Sequence, residues 1–131
     1  MKNVGLWIDV QKAIIVSATE QVFDIDFVNS DIDSCRWQMD VWELPTAIRK
    51  RLSDDQLGFF YETVSGRVLD ARSILIFGPG DAKSHLRRRL STDHFAGTII
   101  GFESSETISE SQIFTRVKTS FKHAQKEFKI A

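Results

Sequence analysis

The sequence is poor in cysteine and proline and has no long apolar run. Its one cysteine, Cys35, can form neither an intrachain disulfide nor a cysteine-rich metal site, a pattern typical of proteins from the reducing cytoplasm. No stretch reaches the roughly 18 consecutive apolar residues of a membrane helix, and the apolar stretches of residues 1–16 are too short and too often interrupted by charge for a secretion signal. We therefore expect a cytoplasmic protein that does not cross a membrane.

An excess of one charge sign is also missing, since 17 basic residues face 18 acidic ones and the net charge is -1. This balance gives no overall attraction to nucleic acid, so any such binding requires a local basic surface. The composition is that of an ordinary globular protein, 42% hydrophobic and 27% charged over 131 residues. Because no repeat or low-complexity linker divides the chain, we expect residues 1–131 to form a single domain.

The first part of the chain predicts three strands: Val4–Ile8, Ala13–Val16 and Gln21–Val28. The polar stretch Asp9–Lys12 between the first two indicates a tight hairpin. In the third, apolar residues alternate with Asp24 and Asp26, which is typical of a strand with one solvent-facing side. Residues 29–52 show no clean period, and we expect an irregular excursion there with a short strand around Trp37–Val41.

Helices then alternate with strands. Ser53, followed by two aspartates, predicts the N-cap of the first helix. Ile74–Phe77 and Thr98–Phe102 predict strands, with a helix between them. In the last helix, Ser109 and Gln112 form a capping box, flanked by a hydrophobic staple of Ile108 and Ile113. The inward stripes of the three helices are expected to be Leu57, Phe60, Tyr61, Val64 and Val68; Ala82, Leu86 and Leu90; and Ile113, Phe114, Val117, Phe121, Ala124 and Phe128.

The order of elements is therefore β-β-β-α-β-α-β-α. It predicts a ribonuclease-H-like fold, a three-layer α/β/α arrangement with a mixed five-stranded sheet. In this fold the first, fourth and fifth strands run parallel, and the third and fifth strands form the two edges of the sheet.

Three segments resemble a known family in their order and spacing: GLWIDVQKAIIV, ILIFGPGDAKSHLRRRL and IIGFESSETISESQI. They resemble small bacterial proteins related to the central domain of class-1 archaeal and eukaryotic release factors and of Pelota, often described as translational machinery components. The resemblance covers most of the chain and fails mainly across residues 29–52. It implies a translation-associated protein that contacts the ribosome or transfer RNA.

Two departures limit what the resemblance implies. Release factors of this family carry a Gly-Gly-Gln loop that assists hydrolysis of the ester to transfer RNA, and this chain has seven glycines of which no two are adjacent. Peptide release by that mechanism is therefore not expected. Some relatives place a histidine and a basic residue directly after the aspartate of the first strand, where this chain has Val10 and Gln11.

The turn Gly78-Pro79-Gly80 is the first candidate site. Glycines there allow close backbone approach, the next helix presents unpaired N–H groups, and Lys83 adds a positive charge, so the turn can hold an anion. The pattern is neither a P-loop nor a dinucleotide fingerprint. The alternative is a purely structural connection from strand to helix.

Asp9 and Glu103 are weak catalytic candidates, since both follow strands that end at the same edge of the predicted sheet. Two carboxylates there can hold Mg²⁺ for phosphodiester cleavage, as in ribonuclease-H-like nucleases. The alternative for Asp9 is an Asx-turn within the hairpin. The three histidines lack zinc-ligand spacing, so the sequence predicts neither a metal nor another cofactor, and it favours a protein that is not an enzyme.

Charge is unevenly distributed along the chain. Residues 19–43 hold seven acids and one base, whereas residues 83–131 hold nine bases and five acids. The basic residues that can meet RNA phosphate are Arg87, Arg88, Arg89, Lys118, Lys122, Lys126 and Lys129. Cations near helix C-termini are also common as solvated faces, so a protein-interaction module without RNA binding is the alternative function.

Self-association is a further expectation. Asp24 and Asp26 can protect the third strand as an exposed edge, while Trp37 and Trp42 can supply an apolar patch for a second copy. A homodimer is therefore one of the arrangements that the sequence permits.

Overall fold

The elements occur in the predicted order across residues 2–19, 22–31 and 46–130, which the computed structural model describes. They are β1 (Lys2–Ile8), β2 (Lys12–Thr19), β3 (Val22–Asn29), α1 (Thr46–Val68), β4 (Ser73–Gly78), α2 (Ala82–Thr92), β5 (Thr98–Ser104) and α3 (Glu110–Ile130). None of the helices in these residues is long and apolar enough to span a membrane.

The strands form one mixed sheet in the order β3-β2-β1-β4-β5. β1 pairs antiparallel with β2, from Lys2 opposite Thr19 to Ile8 opposite Ala13, and β2 pairs antiparallel with β3. β1 and β4 are parallel, as are β4 and β5. The predictions of parallel first, fourth and fifth strands, and of the third and fifth strands as edges, are confirmed.

Each face of the sheet is covered by helix, which confirms the three-layer α/β/α prediction. Alternation along β1 sends Leu6 and Ile8 into a cluster with residues of α1 and α2. Trp7 points the other way, into a cluster with Ile113 of α3. All three β1 side chains are fully buried, and each such burial contributes about 1.5–3 kcal/mol to folding.

The start of α3 follows its sequence signature. The Ser109 backbone N–H donates to Gln112 Oε1 at 2.9 Å, and the Gln112 backbone N–H donates to Ser109 Oγ at 3.2 Å. Ile108 packs against the same apolar cluster that contains Ile113. The predicted capping box is confirmed, and both residues of the predicted staple lie in one cluster.

The predicted start of the first helix was wrong. α1 begins at Thr46, so Ser53 lies inside the helix and residues 46–52 belong to it rather than to an irregular excursion. The segment Ala47–Leu52 consists mostly of strong helix formers, and their propensity extends the helix past a residue that has the side chain of an N-cap. The predicted strand Trp37–Val41 lies outside the described residues, as do Cys35 and Trp42.

Candidate anion-binding site

The turn after β4 brings two strands into close contact. Gly78 has φ +153°, and a Cβ at this position would lie 2.1 Å from the carbonyl oxygen of Ile8 at the end of β1. The Gly78 carbonyl oxygen in turn accepts the Ser105 backbone N–H at 3.1 Å, which ties β4 to the segment after β5. Gly78 therefore has a structural role, because only a residue without a side chain allows β1 and β4 to approach this closely.

Gly80 serves a different purpose from Gly78. Its φ is +64°, the left-handed region, but a Cβ there would meet no atom within 4 Å. The residue is exposed and precedes α2, whose N-cap Asp81 makes no side-chain capping bond. The Ser84 and His85 backbone N–H groups both donate to the Asp81 carbonyl oxygen, so the donors without an acceptor inside the helix are the N–H groups of Ala82 and Lys83, beside the open glycine.

Two cations of α2 converge on one aromatic ring. Lys83 Nζ lies 5.9 Å from the centroid of the Phe102 ring, and Arg87 Cζ lies 4.3 Å from it. Lys83 is only 7% exposed, and its ammonium donates to the Gly80 carbonyl oxygen at 2.5 Å. The structure thus brings Gly80, Lys83 and Arg87 of the sequence prediction together beside Phe102.

This cluster carries two positive charges, and the acidic residue nearest to them in sequence is the N-cap Asp81. None of the ion pairs among the described residues includes Lys83 or Arg87. Like charges at i and i+4 on a helix repel each other, and Lys83 also faces the positive end of the α2 dipole. An anion bound here would relieve both interactions.

The three consecutive arginines of α2 do not share a face, because successive helical residues point about 100° apart. Arg87 reaches Phe102, and Arg88 is exposed. Arg89 instead faces α1, where its Nη2 lies 3.9 Å from Glu62 Oε1, and its Nε lies 3.1 Å from Asp93 Oδ2 at the C-terminal end of its own helix. Only the first two are available to a partner.

Asp93 holds α1 and α2 together at the other end of α2. The Ser65 hydroxyl, which is fully buried, donates to Asp93 Oδ2 at 2.7 Å, and Arg89 donates to the same oxygen. These two hydrogen bonds, that of Ser65 above all, hold the pKa of the Asp93 carboxyl below its usual range. Arg89 therefore helps to hold α1 and α2 together.

Lys118 on α3 is exposed, far along the chain from the α2 cluster. The side chains of Lys122, Lys126 and Lys129 lie outside the described part of α3. Whether they extend the basic surface stays a prediction.

Asp9 and Glu103 are engaged with different elements. Asp9 Oδ1 accepts the backbone N–H groups of Gln11 and Lys12, both at 2.8 Å, which confirms the Asx-turn in the hairpin. Glu103 forms an ion pair with Arg116 of α3. Across the described residues, no group of three or more His, Cys, Asp or Glu side chains is arranged to hold a metal ion.

Tyr61 stacks on His85, with the two ring centroids 5.6 Å apart. Burial raises the pKa of the Tyr61 phenol above its ordinary value, and the Asp9 carboxylate raises it further. The phenol of the unfolded chain ionises near pH 10, so above about this pH the folded protein holds more protons than the unfolded chain. The free energy of unfolding should consequently fall as the pH rises through about 10.

Tyr61→Phe tests this expectation, and Tyr61 is the one tyrosine of the chain. Denaturant unfolding measured between about pH 8 and pH 11 should show a steeper loss of stability in the wild type than in the variant. Equal slopes in the two proteins would show that the folded environment does not disfavour ionisation of Tyr61.

Phe102 was missed by the sequence analysis, where it appears only as the last residue of a predicted strand. Its ring packs against the core on the α1 and α2 side of the sheet and supports both cations of α2. The i, i+4 spacing of Lys83 and Arg87 was visible in the sequence, but the ring between them arises from the packing of α2 on β5.

Comparison with known proteins identifies the fold. No protein-family model matches the sequence, and no curated protein matches it significantly. The crystal structure of the Thermoplasma acidophilum Pelota protein is similar, with a TM-score of 0.55 and 16% sequence identity over 83% of this chain. The archaeal translation termination factor aRF1 gives a TM-score of 0.45 and 12% identity over 98% of this chain.

The chain spans 30% of the Pelota chain and 40% of the aRF1 chain. At this low identity the likeness to Pelota establishes the fold alone. The chain therefore has the fold of a Pelota domain, as the resemblance of its three sequence segments implied.

Proposed function

We propose that this chain is a cytoplasmic, non-catalytic binding domain of the translation machinery that contacts RNA of the ribosome or transfer RNA. The fold shared with Pelota and the sequence resemblance to release-factor-related proteins support the translation context. The absence of adjacent glycines argues against peptide release by a Gly-Gly-Gln loop. The function proposed is therefore contact without hydrolysis.

The observation that carries the proposal is the pair of cations at the start of α2. Lys83 and Arg87 meet at the Phe102 ring with no described carboxylate as partner. A phosphate suits this place, because a helix N-terminus offers N–H donors to an anion and a guanidinium can donate two parallel hydrogen bonds to it. RNA supplies such phosphates at regular spacing.

The roles of the candidate residues differ within this proposal. Gly80, Lys83 and Arg87 take one phosphate, and the exposed Arg88 takes a neighbouring one. Gly78 shapes the turn without touching RNA, because the backbone of Ile8 occupies the space beside its Cα. Arg89, although basic, stays with Asp93 and Glu62.

Affinity purification of the tagged chain, with and without ribonuclease treatment, tests the proposal. We expect ribosomal proteins and RNA to co-purify and to disappear after ribonuclease treatment. A protein partner that survives ribonuclease, with no ribosomal material, would contradict the proposal and support the protein-interaction module instead.

A further inference from the structure

The two edge strands of the sheet, β3 and β5, differ in the charge of their residues. The edge strand β3 carries two aspartates, Asp24 and Asp26, and Asp26 Oδ1 accepts the backbone N–H of Phe27 at 2.9 Å. The same carboxylate forms an ion pair with Arg67 of α1. Charged residues and an occupied N–H group protect an edge strand from pairing with another chain.

β5 lacks charged side chains along most of its length, and its one irregularity is a bulge at Ile100, because Ile74 of β4 lies opposite Ile99 and Leu75 lies opposite Gly101. The stretch Thr98–Phe102 contains no charged residue and no proline, and none of the described strands pairs with its outer edge. Ile100 is 48% exposed on it. On either side of this bulge the edge of β-branched and aromatic residues is open, and an open edge is a template for one more strand.

A groove lies alongside this edge, between β5 and α2. Its volume is about 410 Å³, and its apolar lining includes Leu90, Phe95 and Ile99. Ser91 also lines the groove, and Arg87 is its one charged lining residue. A space of this size holds one or two large side chains. The guanidinium of Arg87 favours an occupant that has a carboxylate.

We propose that the outer edge of β5 binds an extended peptide segment of a partner protein by strand addition. The backbone of the peptide pairs with β5, and because alternate side chains of a strand point to the same side, one apolar side chain enters the groove. An acidic residue of the peptide pairs with Arg87. This binding goes beyond the proposed RNA contact and uses a different surface, which shares only Arg87 with it.

The groove favours a peptide over the other occupants. A second copy of the chain would bring β3, whose edge is protected, or another β5, whose Glu103 would supply a carboxylate only by leaving Arg116. RNA gains little from an aliphatic lining, which offers a phosphate no hydrogen-bond donor. A peptide strand with an apolar and an acidic residue matches the backbone edge, the lining and the charge together.

The test uses a library of ten-residue peptides in which apolar and polar residues alternate, with glutamate or lysine at the polar positions. The tightest peptide is then titrated into the full chain while the amide resonances are followed. We expect glutamate peptides to bind better than their lysine counterparts, and amide shifts to concentrate in residues 95–102. The amides at the outer edge of β5 should also gain protection from hydrogen exchange.

Ser91→Trp fills the groove, and Thr92→Trp is its matched control, because Thr92 is exposed on the same helix and does not line the groove. We expect Ser91→Trp to weaken peptide binding by about tenfold or more, and Thr92→Trp to leave it unchanged. Binding of RNA or ribosomes should be the same in both variants, so failure of this proposal and failure of the RNA contact can be told apart.

Three results would overturn the strand-addition proposal. The first is no binding of any library peptide at millimolar concentration. The second is binding that shifts amides elsewhere and ignores Ser91→Trp. The third is a dimer of the free chain in sedimentation that Ser91→Trp dissociates, which would assign the groove to a second copy.

Discussion

Gly78→Ala is expected to destabilise the fold by about 3 kcal/mol or more, whereas Gly80→Ala should cost only about 1 kcal/mol. Both glycines have positive φ, so both substitutions carry backbone strain. Only at position 78 does the new Cβ meet the backbone of a neighbouring strand, at 2.1 Å from the Ile8 oxygen. This contact is with backbone at the ends of β1 and β4, so it can be relieved only if the two strand ends move apart.

Chemical denaturation of the two variants and the wild type measures this difference. Domains of this kind have a free energy of unfolding of about 5–15 kcal/mol, so Gly78→Ala should lower the denaturation midpoint strongly or prevent folding. If the variant does not fold, Gly80→Ala still has to fold for the account to hold. Equal stability of the two variants would show that the fold does not require a glycine at position 78.

Arg87→Glu combined with Arg88→Glu is expected to lower the affinity for ribosomes or transfer RNA by well over tenfold. Each lost phosphate contact reduces the slope of log K against log salt by about 0.7–0.9, so the double variant should lose between one and two units of slope. The measurement is a binding titration with purified ribosomes and with transfer RNA at several salt concentrations.

Lys50→Glu combined with Arg51→Glu is the matched control. These two residues are also adjacent, basic and exposed on a helix, so the net charge changes by the same amount. Circular dichroism and thermal melts should show that both double variants keep the wild-type fold. If the control weakens binding as much as the α2 variant does, the contact reflects overall charge and not the start of α2.

The sheet could be predicted almost completely because its strands carry strong local signals. The alternation of apolar residues with Asp24 and Asp26 defined β3, and the apolar run Ile74–Phe77 defined the core of β4. The start of α3 was equally local, since Ser109 and Gln112 bond to each other across one turn. In each case the deciding interaction joins residues close in sequence.

The start of α1 could not be predicted in the same way. Its outward face carries Ile48, which is 44% exposed, and Phe59, which is 65% exposed, so apolar residues do not mark one side of the helix. With this weak pattern, Ser53 and the aspartates after it gave the clearer local signal, and that signal was wrong.

The candidate site was predictable in its backbone and less so in its side chains. Gly78 and Gly80 could be recognised as a turn, but their different roles depend on whether Ile8 lies opposite. Arg89 has an acid four residues later, Asp93, which the sequence shows. Its partner Glu62 on α1, and the aromatic ring beside Arg87, arise from the packing of α2 against α1 and β5.

Ultraviolet cross-linking of the chain to ribosomes, followed by mass spectrometry of tryptic peptides, tests the proposed RNA contact most directly. Cleavage after Arg72, Lys83 and Arg87 isolates the turn and the start of α2 as two short peptides, residues 73–83 and 84–87. RNA adducts are expected on these peptides in the wild type. In the Arg87→Glu, Arg88→Glu variant, trypsin cleaves after Arg89 instead, and the peptides 73–83 and 84–89 are expected to carry no adduct. Adducts confined to other parts of the chain, or none at all on bound ribosomes, would contradict the proposed RNA contact.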